Sequence, residues 1–67
     1  MEYRLKFKNT KNRIYLGDVN ASGAYSIACK SAAKTYKTLN GAENARQRVY
    51  GYAWEAKKND MIAVEAV

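Results

Sequence analysis

The 67-residue sequence contains no proline, no histidine, one cysteine and one tryptophan. Each scarcity excludes something. Without histidine the commonest general acid–base group is absent, and Cys29 has no imidazole to activate it as a nucleophile. Metal sites of the Cys/His type cannot be assembled. The six carboxylates, Glu2, Asp18, Glu43, Glu55, Asp60 and Glu65, are scattered and form no close acid–base pair. The four glycines stand singly, so there is no glycine-rich phosphate loop. A lone cysteine does not make a disulfide framework; Cys29 reads as a small buried hydrophobe in a reducing compartment. Apolar runs are too short to span a bilayer, and the opening MEYRLKFK carries no signal-peptide core. The sequence therefore suggests a cytoplasmic protein with no membrane role, no cofactor and no enzymatic activity.

What is present is positive charge. Twelve Lys and Arg stand against six Asp and Glu, a formal charge of +6 on a chain of one domain, residues 1–67. Such a density attracts polyanions over a screening length of about 8 Å at physiological salt. A chain this short buries only about 60% of its unfolded surface, so its core must be small.

Periodicity supplies the elements. In EYRLKFK, residues 2–8, Tyr3, Leu5 and Phe7 alternate with charged residues and predict a strand. NTKN, residues 9–12, is a turn signal. RIYLGDV, residues 13–19, predicts a second strand with Ile14 and Leu16 on one side and Arg13 and Tyr15 on the other, with Gly17-Asp18 bulging or ending it. NASG, residues 20–23, is a further turn. Residues 24–39 fit two readings: a strand over 24–29, a turn near Lys30-Ser31 and a short strand over 34–38, or a single helix over 25–38. The strand reading is preferred for its Thr and Tyr content. Asn40 with Glu43 three residues later resembles a capping box and opens a helix over about 41–58, with Ala42, Ala45, Val49, Tyr52, Ala53 and Ala56 on one face. Asn59-Asp60 stops it. MIAVEAV, residues 61–67, predicts a final strand that is apolar on most of both faces, and hence interior to the sheet or covered at a homodimer contact. The expected fold is α+β: an antiparallel sheet of three to five strands with one long helix on one face, in the order β-β-β-(β)-α-β. Tyr3, Leu5, Phe7, Ile14, Leu16, Ile62 and Val64 are the expected sheet core.

KTYKTLNGAENA, residues 34–45, resembles the strand-to-helix step of the arm-type DNA-binding domains of integrases, in which a three-stranded sheet precedes a helix. It is similar also to small repeat domains of bacterial proteins with a β-β-β-α plan. Strand 61–67 has no counterpart in either plan, and neither resemblance assigns a role to a residue here.

Two surfaces are candidates for binding. On the sheet face away from the helix, Arg4, Lys6 and Lys8, with Lys11 and Arg13 around the turn, put five cations within ten residues. They could straddle backbone phosphates, with Tyr15 stacking on a base; the bland reading is a solvated face whose lysines blunt an edge strand. On the helix, Arg46, Tyr50, Trp54 and Lys57 or Lys58 recur at steps of three and four. Cations among aromatics suit nucleic acid or a protein hot spot, and equally the rim of a small core with Arg46 stacked on a ring. Lys30, Lys34 and Lys37 form a basic ridge only if residues 29–37 are helical. The expected function is a non-enzymatic binding module for the phosphate backbone of DNA or RNA. The alternative is a protein-binding inhibitor or adaptor of the kind phages and mobile elements use to block a host enzyme.

Overall fold

The computed structural model describes residues 1–11 and 13–67. Asn12, the last residue of the expected 9–12 turn, lies outside the described residues. Among the described residues, five strands and two helices follow one another as β1 (Tyr3–Phe7), β2 (Tyr15–Val19), β3 (Tyr25–Ala28), β4 (Thr35–Tyr36), α1 (Leu39–Tyr52), α2 (Trp54–Lys58) and β5 (Ile62–Ala66). A single 3-10 turn, Lys30–Ala32, lies between β3 and β4. The fold is α+β, with a curled antiparallel sheet and the helices on one face. The strand reading of residues 24–39 holds, and the helical alternative does not.

β1 is the central strand. Along one edge it pairs with all of β5, from Tyr3↔Ala66 to Phe7↔Ile62. The other edge is shared: β2 takes the end at Lys6↔Tyr15, and β4 takes the start at Tyr3↔Tyr36 and Arg4↔Thr35. β3 pairs with the outer side of β2 through Tyr15↔Ala28 and Leu16↔Ile27. Gly17 and Asp18 face the single residue Ser26, so the expected bulge is real. The connection from β3 to β4 has to pass from outside β2 to the gap between β2 and β1, where the Lys34 amide donates to the Leu16 carbonyl at 3.2 Å. Because the helices cover the Leu16 face, the connection crosses the opposite face of β2, the one that carries Tyr15.

The core is Leu5, Leu16 and Ile62 from the sheet beneath Ala42, Ala45 and Val49 of α1. Alanines on the helix let its backbone approach the sheet closely, and the larger sheet residues fill the space. Tyr3, Phe7 and Val64 pack around this cluster. Ile14, expected within it, precedes β2 and is 37% exposed. Cys29, expected to be buried, is exposed just after β3. It sits where the chain has already left the sheet to begin the crossover, so no layer covers it.

The helix differs from expectation at both ends. Thr38, not Asn40, is the N-cap: its hydroxyl accepts from the Gly41 amide at 3.0 Å. Glu43 does not close a capping box; its carboxylate takes Arg46 and Gln47. The expected single helix over 41–58 is broken at Ala53, whose φ of −116° and ψ of 81° leave the helical region. An unbroken helix of that length would span about 27 Å, against a longest molecular dimension of 28 Å. Beyond the break, Ala56 of α2 is buried and its carbonyl accepts from the Met61 amide at 3.0 Å. Asn59 then caps α2, and Asp60 adopts a left-handed φ of 48°, ending the helix where the sequence places its stop.

β5 is not interior. Among the described residues it pairs only with β1. Its outer edge is nonetheless partly closed by side chains: the Ile62 amide donates to Tyr50 Oη at 3.2 Å, and the Ile62 carbonyl accepts from Tyr50 Oη at 3.1 Å and from Arg46 Nε at 2.8 Å. This blunts an edge that would otherwise invite strand pairing.

Candidate functional site: a basic end of the sheet

The sheet stripe read from the first strand is largely neutralised. The β1–β5 register sets Glu65 opposite Arg4, on the face away from the helices. Its carboxylate accepts from Arg4 Nε at 2.6 Å, Lys6 Nζ at 3.2 Å and Tyr15 Oη at 3.0 Å. Desolvation works to raise the pKa of Glu65, but the hydrogen bonds from Arg4, Lys6 and Tyr15 outweigh it and hold the group at about 2. Arg4 also lies 5.0 Å from the centre of the Tyr15 ring. Tyr15 is 0% exposed, under the crossover and Arg4, so it has no free ring face and cannot stack on a base. The alternation put Tyr15 on the correct face of the sheet; what covers that face was not visible in it.

Lys8 is balanced too. Its Nζ lies 2.6 Å from Asp60 Oδ2. Asp60 Oδ1 takes Arg46 Nη2 at 2.8 Å and Tyr50 Oη at 2.9 Å. Hydrogen bonds from Lys8 and then Tyr50 lower the pKa of Asp60. The helix stripe is thereby split. Arg46 lies 4.7 Å from the centre of the Tyr50 ring, and both are committed to β5 and Asp60. Trp54, beyond the break at Ala53, is 64% exposed with Lys58 Nζ 5.7 Å from its ring centre.

With Arg4, Lys6, Lys8 and Arg46 in ion pairs, the excess charge lies elsewhere. The pairings Lys6↔Tyr15, Tyr15↔Ala28 and Phe7↔Ile62 put the end of β1, the start of β2, the end of β3 and the start of β5 at one end of the sheet. Lys11 and Arg13 lie in the β1–β2 connection there, both exposed, and Lys11 has a left-handed φ of 55°. Lys30 follows β3 by two residues, beside the Arg13 side of the hairpin. Lys57 and Lys58 close α2 at the same end, where the Asp60 amide donates to the Lys57 carbonyl at 3.1 Å and the Lys8 amide to the Met61 carbonyl at 2.8 Å. Among the described residues none of Lys11, Arg13, Lys30, Lys57 and Lys58 is in an ion pair. Two carboxylates stand among them: Asp60, already occupied by Lys8, Arg46 and Tyr50, and Glu55, exposed on α2 beside Trp54. Glu2 and Asp18 belong to the opposite end, at the start of β1 and the end of β2. Lys37 and Arg48 are at that far end as well. Lys37 follows the Tyr36↔Tyr3 pair, and the Arg48 carbonyl abuts Gly23 of the β2–β3 turn.

Lys11, Arg13, Lys57 and Lys58 are all candidates from the sequence, but on two separate surfaces. Lys30 is not, because the strand reading scatters the Lys30, Lys34 and Lys37 ridge. The signal that joins Lys30 to Arg13 is antiparallel pairing of residues 13–19 with 24–29, which the strand reading contained. Among the described residues no helix is long and apolar enough to cross a membrane, and no group of three His, Cys, Asp or Glu side chains could hold a metal ion. No family model, curated protein or solved structure matches the chain.

Proposed function

We propose that this protein is a non-enzymatic module that binds the phosphate backbone of nucleic acid through the basic end of its sheet. The observation that carries the reading is the segregation of charge. Arg4 and Lys6 share Glu65, and Lys8 and Arg46 share Asp60, whereas Lys11, Arg13, Lys30, Lys57 and Lys58 lie across one end of the sheet and, among the described residues, are in no ion pair. Each phosphate they contact releases condensed counterions, so affinity falls steeply with salt. Such contacts position a nucleic acid without reading its sequence. Placement in a reducing, cytoplasmic compartment accords with an exposed free thiol at Cys29. The test is fluorescence anisotropy with labelled single- and double-stranded DNA and RNA at about 50 and 200 mM salt. Micromolar binding that weakens sharply between the two supports the reading; no binding at the lower salt overturns it.

A second reading, a protein-binding inhibitor or adaptor, is favoured by the outer edge of β5. Tyr50 and Arg46 close that edge only at Ile62. The register points the main-chain groups of Val64 and Ala66 the same way, beyond that cover, so an extended segment of a partner or of a second copy could pair there. Sedimentation at high concentration tests the homodimer form: a strict monomer excludes it.

A further inference from the structure

The Arg46, Tyr50, Trp54 stripe would be continuous on an unbroken helix. Ala53 interrupts it, and the two aromatics then behave oppositely. Tyr50 is 5% exposed and bonded to Ile62 and Asp60; Trp54 is 64% exposed. Tyr52, on the other side of the break, is 58% exposed. The fold does not use the Trp54 ring. Trp54 belongs neither to the core cluster nor to the residues packed against it. Exposing the largest apolar side chain of a small domain forgoes burial that would otherwise stabilise it. Lys58 Nζ lies over the ring, 5.7 Å from its centre, and Trp54 stays 64% exposed. Lys57 and Lys58 stand at the same end of the sheet as Lys11, Arg13 and Lys30.

We propose that Trp54 is a stacking platform for an unpaired base, and that the nucleic acid bound at the basic end is single-stranded. This rests on the phosphate-binding reading and narrows it. A duplex buries its base faces and offers only backbone to such a surface. A single strand offers backbone to the lysines and a base face to the indole, the combination that binds single strands without sequence preference. Lys58 sits between the two functions. It lies against the indole in the free protein and is within a side chain's reach of a phosphate flanking a stacked base. Charge favours this occupant over an apolar protein surface, because Lys57 and Lys58 outnumber Glu55 beside the ring on a chain of net charge +6.

Trp54 is the one tryptophan of the chain, so its emission reports this position alone. The experiment titrates the protein with fluorescein-labelled oligo-dT and with a duplex of equal length, following label anisotropy and tryptophan emission separately. The expected result is quenching of Trp54 by oligo-dT in step with anisotropy, little quenching by duplex, and tighter binding of the single strand. Trp54→Ala should weaken oligo-dT binding about 5- to 100-fold and leave duplex binding unchanged, while Trp54→Phe retains most of the affinity. The exposure of the ring predicts that both variants keep the wild-type thermal melt. Anisotropic binding without quenching, or an unchanged Trp54→Ala affinity, overturns the stacking proposal while phosphate binding stands; the exposed indole would then suit a protein partner. No anisotropy change with either oligonucleotide overturns the phosphate reading itself, and the stacking proposal with it.

Discussion

Replacing Glu65 by glutamine removes the charge that three side chains converge on. Glu65→Gln leaves Arg4 and Lys6 side by side, with side-chain exposures of 14% and 22%, and without a counter-charge. The carboxyl is held at about 2 in the folded state, against an ordinary value of 4.5. At about 1.4 kcal/mol per pKa unit this sets a ceiling of about 3.5 kcal/mol. Glu65 is 23% exposed, and solvent screening brings the expected contribution to about 1–2 kcal/mol. Because the folded pKa is depressed, this stability is fully present above the unfolded value. It is lost as the pH falls from about 4.5 towards 2, where the folded carboxylate itself takes up a proton. Wild type and Glu65→Gln should therefore differ by about 1–2 kcal/mol at pH 7, on the order of 4–15 °C in Tm for a domain this small. The two should converge near pH 2. Urea denaturation followed by far-UV circular dichroism at pH 7, 4 and 2.5 measures the gap. A Glu65→Gln protein as stable as wild type at pH 7, or a gap that does not close in acid, refutes the assignment of Glu65 as the neutraliser of the sheet face.

Other consequences follow from the same geometry. Tyr50→Phe deprives the Ile62 amide of its acceptor and should cost about 1–3 kcal/mol in urea denaturation; an unchanged midpoint would refute the stabilising role given to this hydroxyl. Thr38→Ala should lose about 1 kcal/mol through the N-cap, whereas Asn40→Ala should be near neutral, and the reverse order in thermal melts would restore the capping box read from the sequence. Gly23→Ala should destabilise by more than 2 kcal/mol, since φ is 96° and a Cβ there would collide with the Arg48 carbonyl; a small loss would show that the β2–β3 turn moves freely from α1.

Elements whose signal is local were legible in the sequence. The alternation of residues 2–8 gave β1, the Asn20–Gly23 signal gave the β2–β3 turn, and the Gly17-Asp18 pair marked the bulge. The break at Ala53 was not legible, because alanine is the strongest helix former and the cause lies in the need to return the chain to β1 through β5. The capping site was not legible: Asn40 with Glu43 has the capping-box spacing and asparagine is the stronger N-cap type, yet the helix begins at Leu39 and Thr38 caps it. The site was misread for a related reason. Arg4 and Lys6 look free along the chain because their neutraliser, Glu65, comes sixty-one residues after Arg4. Tyr15 looks available because the segment that crosses it is specified by pairing order, not by any residue near it. Lys11, Arg13, Lys57 and Lys58 were found as residues, but their convergence with Lys30 exists only once the register of four strands is known.

On the proposed reading, phosphate is met at the basic end of the sheet, and not by net charge or by the first-strand stripe. Lys11→Glu/Arg13→Glu and Lys37→Glu/Arg48→Glu change the net charge equally, but the second pair lies at the opposite end. The most direct measurement is the slope of log affinity against log salt for oligo-dT binding to wild type and to both double variants. Each lost contact removes about 0.7 from the slope for a single strand. The account predicts a slope reduced by about 1.4 and much weaker binding for Lys11→Glu/Arg13→Glu, with a near wild-type slope for Lys37→Glu/Arg48→Glu. Equal losses in the two variants, or none in either, would contradict it.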